Sequence, residues 1–315
     1  MTKIAFLFPG QGSQSVGMGK QLADVNPNVA NVFRQADEVL GEKLSKLIFD
    51  GPQKELTLTT NAQPALLTVC TAILRAVQQH SIFPDYVAGH SLGEYSALVA
   101  NGALTFEDAV KIVRMRGESM EKALPHGQGT MAAILGMDRE TLREITGEVS
   151  RFGDSVQLAN INCPGQIVIS GTKTGVDKAC EIAKEKGARR TIPLEVSGPF
   201  HSVLMEPAAK RMKTVLERYE LKDTKIPVIS NVTAEPVTSG DDMKRLLIKQ
   251  ITSPVLWEDS VRKLIQLGVT TFVEIGPGKV LTGLIRKIDR SVNVLPIYDE
   301  ATMEIAIREL KGDHT

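Results

Sequence analysis

The spacing of apolar positions changes several times along this chain, and each change predicts an element. Ile4-Ala5-Phe6-Leu7-Phe8 is an unbroken apolar run stopped by Pro9-Gly10, the pattern of a short strand covered on both faces. Pro27 opens a stretch in which Val29, Val32, Phe33, Ala36, Val39 and Leu40 recur at helical spacing, and Gly41 closes it. The same period runs from Asn61 to Gln79 through Leu66, Leu67, Cys70, Ile73, Leu74 and Val77. Tyr86-Val87-Ala88 predicts a second buried strand. A helix is expected from Thr105 to Leu124, with Thr105 as N-cap and Asp108 where a capping box puts a carboxylate.

The middle of the chain follows a different order. Strands are predicted at 130–135, 156–162, 166–170 and 191–196, with helices at 139–149 and 176–186. That order is βαββαβ, the ferredoxin-like split motif. Pro125-His126-Gly127-Gln128-Gly129 and Ser197-Gly198-Pro199 bound it as crossing points. Afterwards the strand–helix alternation resumes, with strands at 226–230, 271–275 and 292–297 and a helix from Val203 to about Leu221. The expected fold is therefore α/β. Residues 1–125 and 199–315 form a large domain with a mostly parallel, helix-covered sheet, and 126–198 form a small ferredoxin-like insertion.

Composition narrows the function. The 315 residues carry 37 Lys plus Arg against 37 Asp plus Glu, and 42% are apolar. Without a basic surplus, nucleic acid is not an expected partner. No apolar run approaches the roughly 20 residues that span a bilayer, so no membrane partner is expected. No signal-peptide pattern opens the chain. The cysteines, Cys70, Cys163 and Cys180, are sparse and lack a CxxC, which argues against a disulfide scaffold or zinc ribbon and points to a reducing cytoplasm. No histidine pair has HxxxH spacing, so no metal site is expected.

Gly89-His90-Ser91-Leu92-Gly93 matches G-x-S-x-G between a predicted strand and the helical run 94–100, the context this motif needs. A sharp strand-to-helix turn leaves the Ser91 hydroxyl exposed and aims the Leu92 amide where an oxyanion forms. The α/β-hydrolase-like character of the large domain follows from this turn. Of five histidines, His90 adjoins the serine but points elsewhere, His80 sits at a helix end, His126 in a linker and His314 in a tail. Elimination makes His201 the candidate base. No Asp or Glu between Ser91 and His201 stands out as the orienting acid, which leaves a backbone carbonyl or an amide; Gln250, at a helix end, is one candidate.

Arg116 lies within the apolar stripe of Ala109, Ile112, Val113, Gly117, Met120 and Leu124, opposite Lys111, Arg114, Glu118 and Glu121. Arg114 is thus expected as a solvated charge and Arg116 as an inward one. A buried guanidinium needs an internal carboxylate or an anionic ligand. Its planar fork suits a carboxylate, which with a serine nucleophile suggests an acyl group bearing a free acid.

These motifs, taken in order, resemble those of the malonyl-CoA:acyl carrier protein transacylases. The resemblance spans essentially the whole chain. It rests on Phe8 to Gln14, Gly89 to Tyr95, Arg114-Met115-Arg116-Gly117, Asn160 to Gln166, Phe200-His201-Ser202, Ser253 to Trp257 and Glu274 to Gly278. It implies Ser91 as the acylated nucleophile, His201 as base, and the amides of Gln11 and Leu92 as the oxyanion hole. It implies Arg116 as the holder of the malonyl carboxylate and Gln250 as a residue near the histidine. Asn162 and Gln166 would line the pocket or support the serine turn. Phe200 matches a malonyl-preferring pattern. The implied partners are a coenzyme A thioester and an acidic acyl carrier protein, with no cofactor; the sequence does not reveal the oligomeric state, and a monomer is taken as the default. Lys184, Lys186, Arg189 and Arg190, or Arg286, Lys287 and Arg290, would offer a basic docking face. A serine thioesterase or esterase, a silent acyl-CoA-binding protein and a malonyl-loading enzyme of polyketide synthesis are the alternatives. A nucleotide site is not expected: Gly10 to Ser15 lacks the third glycine of a dinucleotide fingerprint, and Gly278-Lys279-Val280 lacks the P-loop Ser or Thr.

Overall fold

The computed structural model describes residues 3–125 and 127–312. Among these residues, ten strands form two sheets. The first contains β1 (Lys3–Phe8) and β2 (Tyr86–Gly89). The second is built from β3 (Gly129–Leu135), β4 (Val156–Cys163), β5 (Gln166–Thr172) and β6 (Arg190–Pro193). The chain then returns to the first sheet with β7 (Val228–Ile229), β8 (Pro236–Val237), β9 (Val269–Ile275) and β10 (Asn293–Ile297). The six-stranded order is β10-β9-β1-β2-β7-β8, parallel except for β8.

β1 lies in the middle, which explains its unbroken apolar run. Phe6 and Phe8 face a core shared with the helices Pro27–Leu40, Thr59–Gln78 and Phe106–Glu121. Ala5 and Leu7 point the other way, into a core with the helices Trp257–Gln266 and Val280–Ile288. Parallel pairing of Leu7 with Ala88 and Phe8 with Gly89 brings the carboxyl ends of β1 and β2 level. The loop after β1 therefore runs beside the turn that carries Ser91. Ligand sites of open α/β sheets gather at such an edge.

The four-stranded sheet is antiparallel with the order β4-β5-β3-β6, as the ferredoxin-like motif requires. Ala132, Ile134, Leu158, Ile167 and Ile169 pack on the helices Arg139–Arg151 and Lys173–Glu185. Met131, Ala159 and Val168 join the core of the large sheet instead. The two sheets are stitched through β4: Val255 N–H donates to Ala159 O at 2.8 Å, and Ile161 N–H donates to Val255 O at 2.9 Å.

Several expected boundaries shift for identifiable reasons. The strand expected at 226–230 shrinks to β7, because Pro227 has no N–H and Ser230 accepts in the turn that leads to β8, an element the apolar pattern did not reveal. β6 stops at Pro193 rather than 196. After His201 a short 3₁₀ turn precedes the helix Glu206–Leu216, which begins where Pro207 is tolerated in the first turn. The helix expected to reach Leu124 ends at Glu121. Thr105 caps it by accepting from the Asp108 amide, with only that half of the capping box formed. His126 and His314 lie outside the described residues. Among the described residues, no helix is long and apolar enough to cross a membrane.

Candidate active site

The turn after β2 is forced into shape by glycine contacts. A Cβ on Gly89 would fall on the Gly93 backbone, one on Gly93 on the Phe8 carbonyl, and one on Gly10 on the His90 carbonyl. Strand, turn and the helix Gly93–Ala100 thus touch backbone to backbone. Ser91 takes φ 52°, the left-handed region that non-glycine residues seldom occupy. Asn231 holds the strained turn from the next strand's end: its Oδ1 accepts from the Ser91 amide at 2.7 Å and its Nδ2 donates to Gly89 O at 2.7 Å. The Ser91 amide is therefore occupied. Among the described residues, the amides of Leu92 and Gln11 donate to no protein acceptor, which fits the oxyanion role expected of them.

His201 meets the serine from the far side of the cleft. Its Nε2 lies 2.8 Å from Ser91 Oγ, and its Nδ1 lies 2.9 Å from the Gln250 carbonyl. The Nδ1–H donates to that carbonyl, so Nε2 presents a lone pair to the serine hydroxyl. Gln250 is the last residue of the helix Gly240–Gln250, where carbonyls have no intrahelical partner. A helix C-terminus, with its partial negative charge, thus stands where a carboxylate was sought. The imidazole is 3% exposed, and burial first, then the Arg116 charge, push its pKa down to about 3. It is held neutral, the form a general base requires. His201 also sits at φ 59°. Gln157, from β4, holds that loop: its Nε2 donates to His201 O at 3.2 Å and its Oε1 accepts from Val203 N–H at 3.0 Å.

Arg116 is 1% exposed, and no carboxylate touches it. Its Nη1 donates to Gln63 Oε1 at 2.8 Å, and its Nη2 to Gln250 Oε1 at 2.8 Å and Ser91 Oγ at 3.1 Å. The guanidinium lies over the Tyr95 ring, 5.5 Å from its centroid. Gly117 makes this possible, because the backbone of Thr59 and Thr60 occupies the space its side chain would fill, and the two helices close until Gln63 meets Arg116. Ser91, His201, Arg116, Gln11 and Leu92 all line one cavity of about 310 Å³, whose remaining wall includes Met120, Met131, Leu194 and Phe200. A hydroxyl, a neutral imidazole, free amides and a desolvated cation around one small cavity can form and hold an acyl ester, with the cation selecting for an acid.

A family model described as an acyl transferase domain matches residues 5–313. The chain belongs to the acyl transferase family. It is 59% identical over 314 residues to the malonyl CoA-acyl carrier protein transacylase of Bacillus subtilis (strain 168), covering 100% of this chain and 99% of that one. A crystal structure of an acyl carrier protein S-malonyltransferase from Vibrio cholerae superposes with a TM-score of 0.95 at 42% identity, covering 97% of this chain and all of that one. A malonyl-transacylase solved in complex with its type II PKS acyl-carrier protein also matches, with a TM-score of 0.95 at 40% identity over 98% of this chain and 100% of that one.

Asn162 supports the serine turn, one of the two places expected for it: its Oδ1 lies 2.8 Å from His90 Nε2, and the His90 ring packs beside Trp257. His90 is thereby a donor that braces the turn. Gln166 is a correction. It opens β5 and its Oε1 accepts from Lys287 Nζ at 3.0 Å, so it neither lines the cavity nor reaches the turn. Arg114 is a second correction. Its Nη1 donates to Thr60 O and Asn61 Oδ1, and it pairs with Glu42, so the charge expected in solvent ties two helices together instead. Sequence reasoning missed Gln63, Glu94, Gln157 and Asn231. Gln63 and Glu94 carried a legible signal, since each is a polar residue inside an otherwise buried helical segment.

Proposed function

We propose that this chain moves malonyl from malonyl-CoA to the phosphopantetheine thiol of acyl carrier protein for fatty-acid synthesis, through a malonyl ester on Ser91. The observation that carries this reading is the buried Arg116 guanidinium, partnered by two amide oxygens and no carboxylate, 3.1 Å from Ser91 Oγ. An anionic acyl group is what such a cation lacks. The names of the relatives above agree with it.

His201 takes the Ser91 proton as the hydroxyl attacks the thioester carbonyl. The tetrahedral oxyanion is held by the amides of Gln11 and Leu92, each donor worth about 3 kcal/mol in comparable sites. The thiol of coenzyme A leaves with the proton from His201. The carrier's thiol then enters, gives its proton to His201 and collects the malonyl group, regenerating Ser91. Arg116 holds the malonyl carboxylate throughout, supported by Gln63 and Gln250. Nothing in this cycle calls on a cofactor.

The carrier protein is acidic, and two exposed basic clusters can receive it: Lys184, Lys186, Arg189 and Arg190, and Arg286, Lys287 and Arg290. The small unit, residues 126–198, and the large one, 1–125 with 199–315, close on the cavity as two walls. The chain works in the cytoplasm as a monomer, with no nucleic-acid or membrane partner; its free thiols at Cys70, Cys163 and Cys180 suit that compartment.

Intact-mass analysis after incubation with malonyl-CoA tests the reading. A malonyl adduct on Ser91 that is discharged by carrier protein is expected, with little free malonate before the carrier is added. Rapid malonate release without acceptor would instead make the protein a thioesterase. Arg116→Ala is expected to lower the malonyl-to-acetyl ratio of adducts by roughly 10²-fold or more, since a site built for a polar group discriminates strongly. An unchanged ratio would remove Arg116 from its role.

A further inference from the structure

Arg116 has no carboxylate in contact, but one stands directly behind its amide partner. Glu94 is the second residue of the helix Gly93–Ala100 and is 3% exposed. Its Oε2 accepts from Gln250 Nε2 at 2.7 Å and from the Asn231 amide at 3.3 Å. The other end of the same Gln250 amide accepts from Arg116 Nη2 at 2.8 Å. One primary amide thus sits between a buried anion and a buried cation, aligned with both. Its Nε2 also donates to Ser91 O at 3.0 Å.

We propose that Glu94 is the counter-charge of the empty site and takes up a proton when a malonyl carboxylate reaches Arg116. This rests on the reading of Arg116 as the carboxylate holder. Charge must balance in this buried interior. The empty site holds one cation and one anion. A malonyl group adds a second anion, and two carboxylates then share one cation in a water-poor interior, where one of them is driven to its neutral form. The malonyl carboxylate meets the guanidinium directly and keeps its charge. Glu94 touches only neutral donors, so Glu94 gives way. Burial already pushes its pKa up to about 7, against the lowering effect of Gln250, Asn231 and Arg116.

The other titratable groups around it do not supply the balance. Arg116 on the helix Phe106–Glu121 is the cation already counted. Tyr95, on Glu94's own helix, and Cys70, on the helix Thr59–Gln78, are buried with raised pKa values and stay neutral. His201 is neutral for the reasons given above. The step is a proton transfer alone: the Glu94 carboxylate gains one proton from solvent as malonyl binds, and the carboxyl returns it when malonyl departs on the carrier. Because the malonyl-bound form holds the extra proton, affinity is greatest at low pH. It falls as pH rises through Glu94's own range, by up to about tenfold per pH unit. An acetyl group brings no anion and shows no such coupling. Glu94 is a positioning residue here, acting on substrate through Gln250 and Arg116.

Calorimetry on the Ser91→Ala chain, at pH 8 in buffers of different ionisation heat, tests this. Malonyl-CoA is expected to take up most of one proton more than acetyl-CoA; the comparison cancels the phosphates that both share. In Ser91→Ala/Glu94→Gln the difference should vanish, and malonyl-CoA should bind about tenfold more tightly at pH 8 than it does to Ser91→Ala. Equal proton uptake for the two thioesters overturns the proposal, and so does an uptake that survives Glu94→Gln. Should Glu94→Gln fail to fold, the malonyl-minus-acetyl count on Ser91→Ala decides alone. Preferential malonyl-CoA binding without proton uptake defeats Glu94 and leaves Arg116 standing. Malonyl-CoA bound no better than acetyl-CoA defeats the Arg116 reading itself.

Discussion

Ser91 and His201 both occupy the left-handed region, at φ 52° and 59°, yet the two strained residues are held in different ways. The serine turn is braced mostly by its own surroundings. Gly93 N–H donates to His90 O at 2.9 Å, His90 N–H to Phe8 O at 3.0 Å, and three glycines let strand, turn and helix touch. The histidine loop has no such frame. It depends on Gln250 and Gln157 from remote elements, beside short-range ties from Ser202 Oγ to Pro199 O at 2.6 Å, Phe200 N–H to Gly198 O at 3.0 Å and Met205 N–H to Ser202 O at 2.9 Å. The serine turn is thus closed by backbone-to-backbone packing with Asn231 and Asn162 added, whereas the histidine is positioned mainly by side chains and one carbonyl. Strain at the first is stored in backbone packing; strain at the second is borne by side chains that a single substitution can remove.

Removing the reacting groups should have the largest effect. Ser91→Ala is expected to abolish the malonyl adduct in intact-mass spectra, whereas His201→Ala should slow adduct formation by roughly 10²–10⁴-fold and leave it detectable. An undiminished rate in His201→Ala would mean that the imidazole does not act as the base.

The braces should separate next. Gly93→Ala pushes a methyl onto the Phe8 carbonyl, and urea unfolding should record a loss of about 3 kcal/mol. Gln157→Leu should cost no more than about 1 kcal/mol of stability but lower kcat about five- to tenfold, because the loop carrying the base loses its clamp. A large stability loss with unchanged kcat would reverse the comparison.

The smallest expected change is a null one. With the His201 pKa pushed down to about 3 by burial and Arg116, the base stays neutral well below the ordinary histidine value of 6.5. Protonation would remove it only as pH falls through the depressed value. Labelling of Ser91 by an uncharged fluorophosphonate should therefore proceed at a constant rate from pH 8 to 5. A step near 6.5 would show a solvent-accessible imidazole.

The same contrast explains what was legible in the sequence. The Ser91 turn, β1, β2 and the helices of the βαββαβ unit are written in consecutive residues, and the apolar spacing and glycines report them. Arg116 is legible because a charge inside an apolar stripe breaks a pattern. His201 emerged only by elimination, and its φ, its carbonyl partner and the Gln157 clamp depend on residues far away in the chain. Asn231 lies in the turn after β7, a strand too short to have a pattern of its own. The expectation for Gln166 came from resemblance alone, and the side chain's nearer partner is Lys287. Gln63 and Glu94 repeat the Arg116 signal with less contrast, in helical segments otherwise built from apolar and small residues.

The position of β1 has a consequence for biogenesis. Of the described strands β1 is made earliest, and it lies between β2 and β9, which is translated long after it. Until it arrives, one edge of the oldest strand is unpaired and the face bearing Ala5 and Leu7 lacks its cover. The carbonyl of Gln250 is also made late. A chain that ends before residue 231 therefore lacks Asn231 against the Ser91 turn, the β9 edge of β1 and the Gln250 carbonyl against His201, so both distant stretches must be present before the site can close.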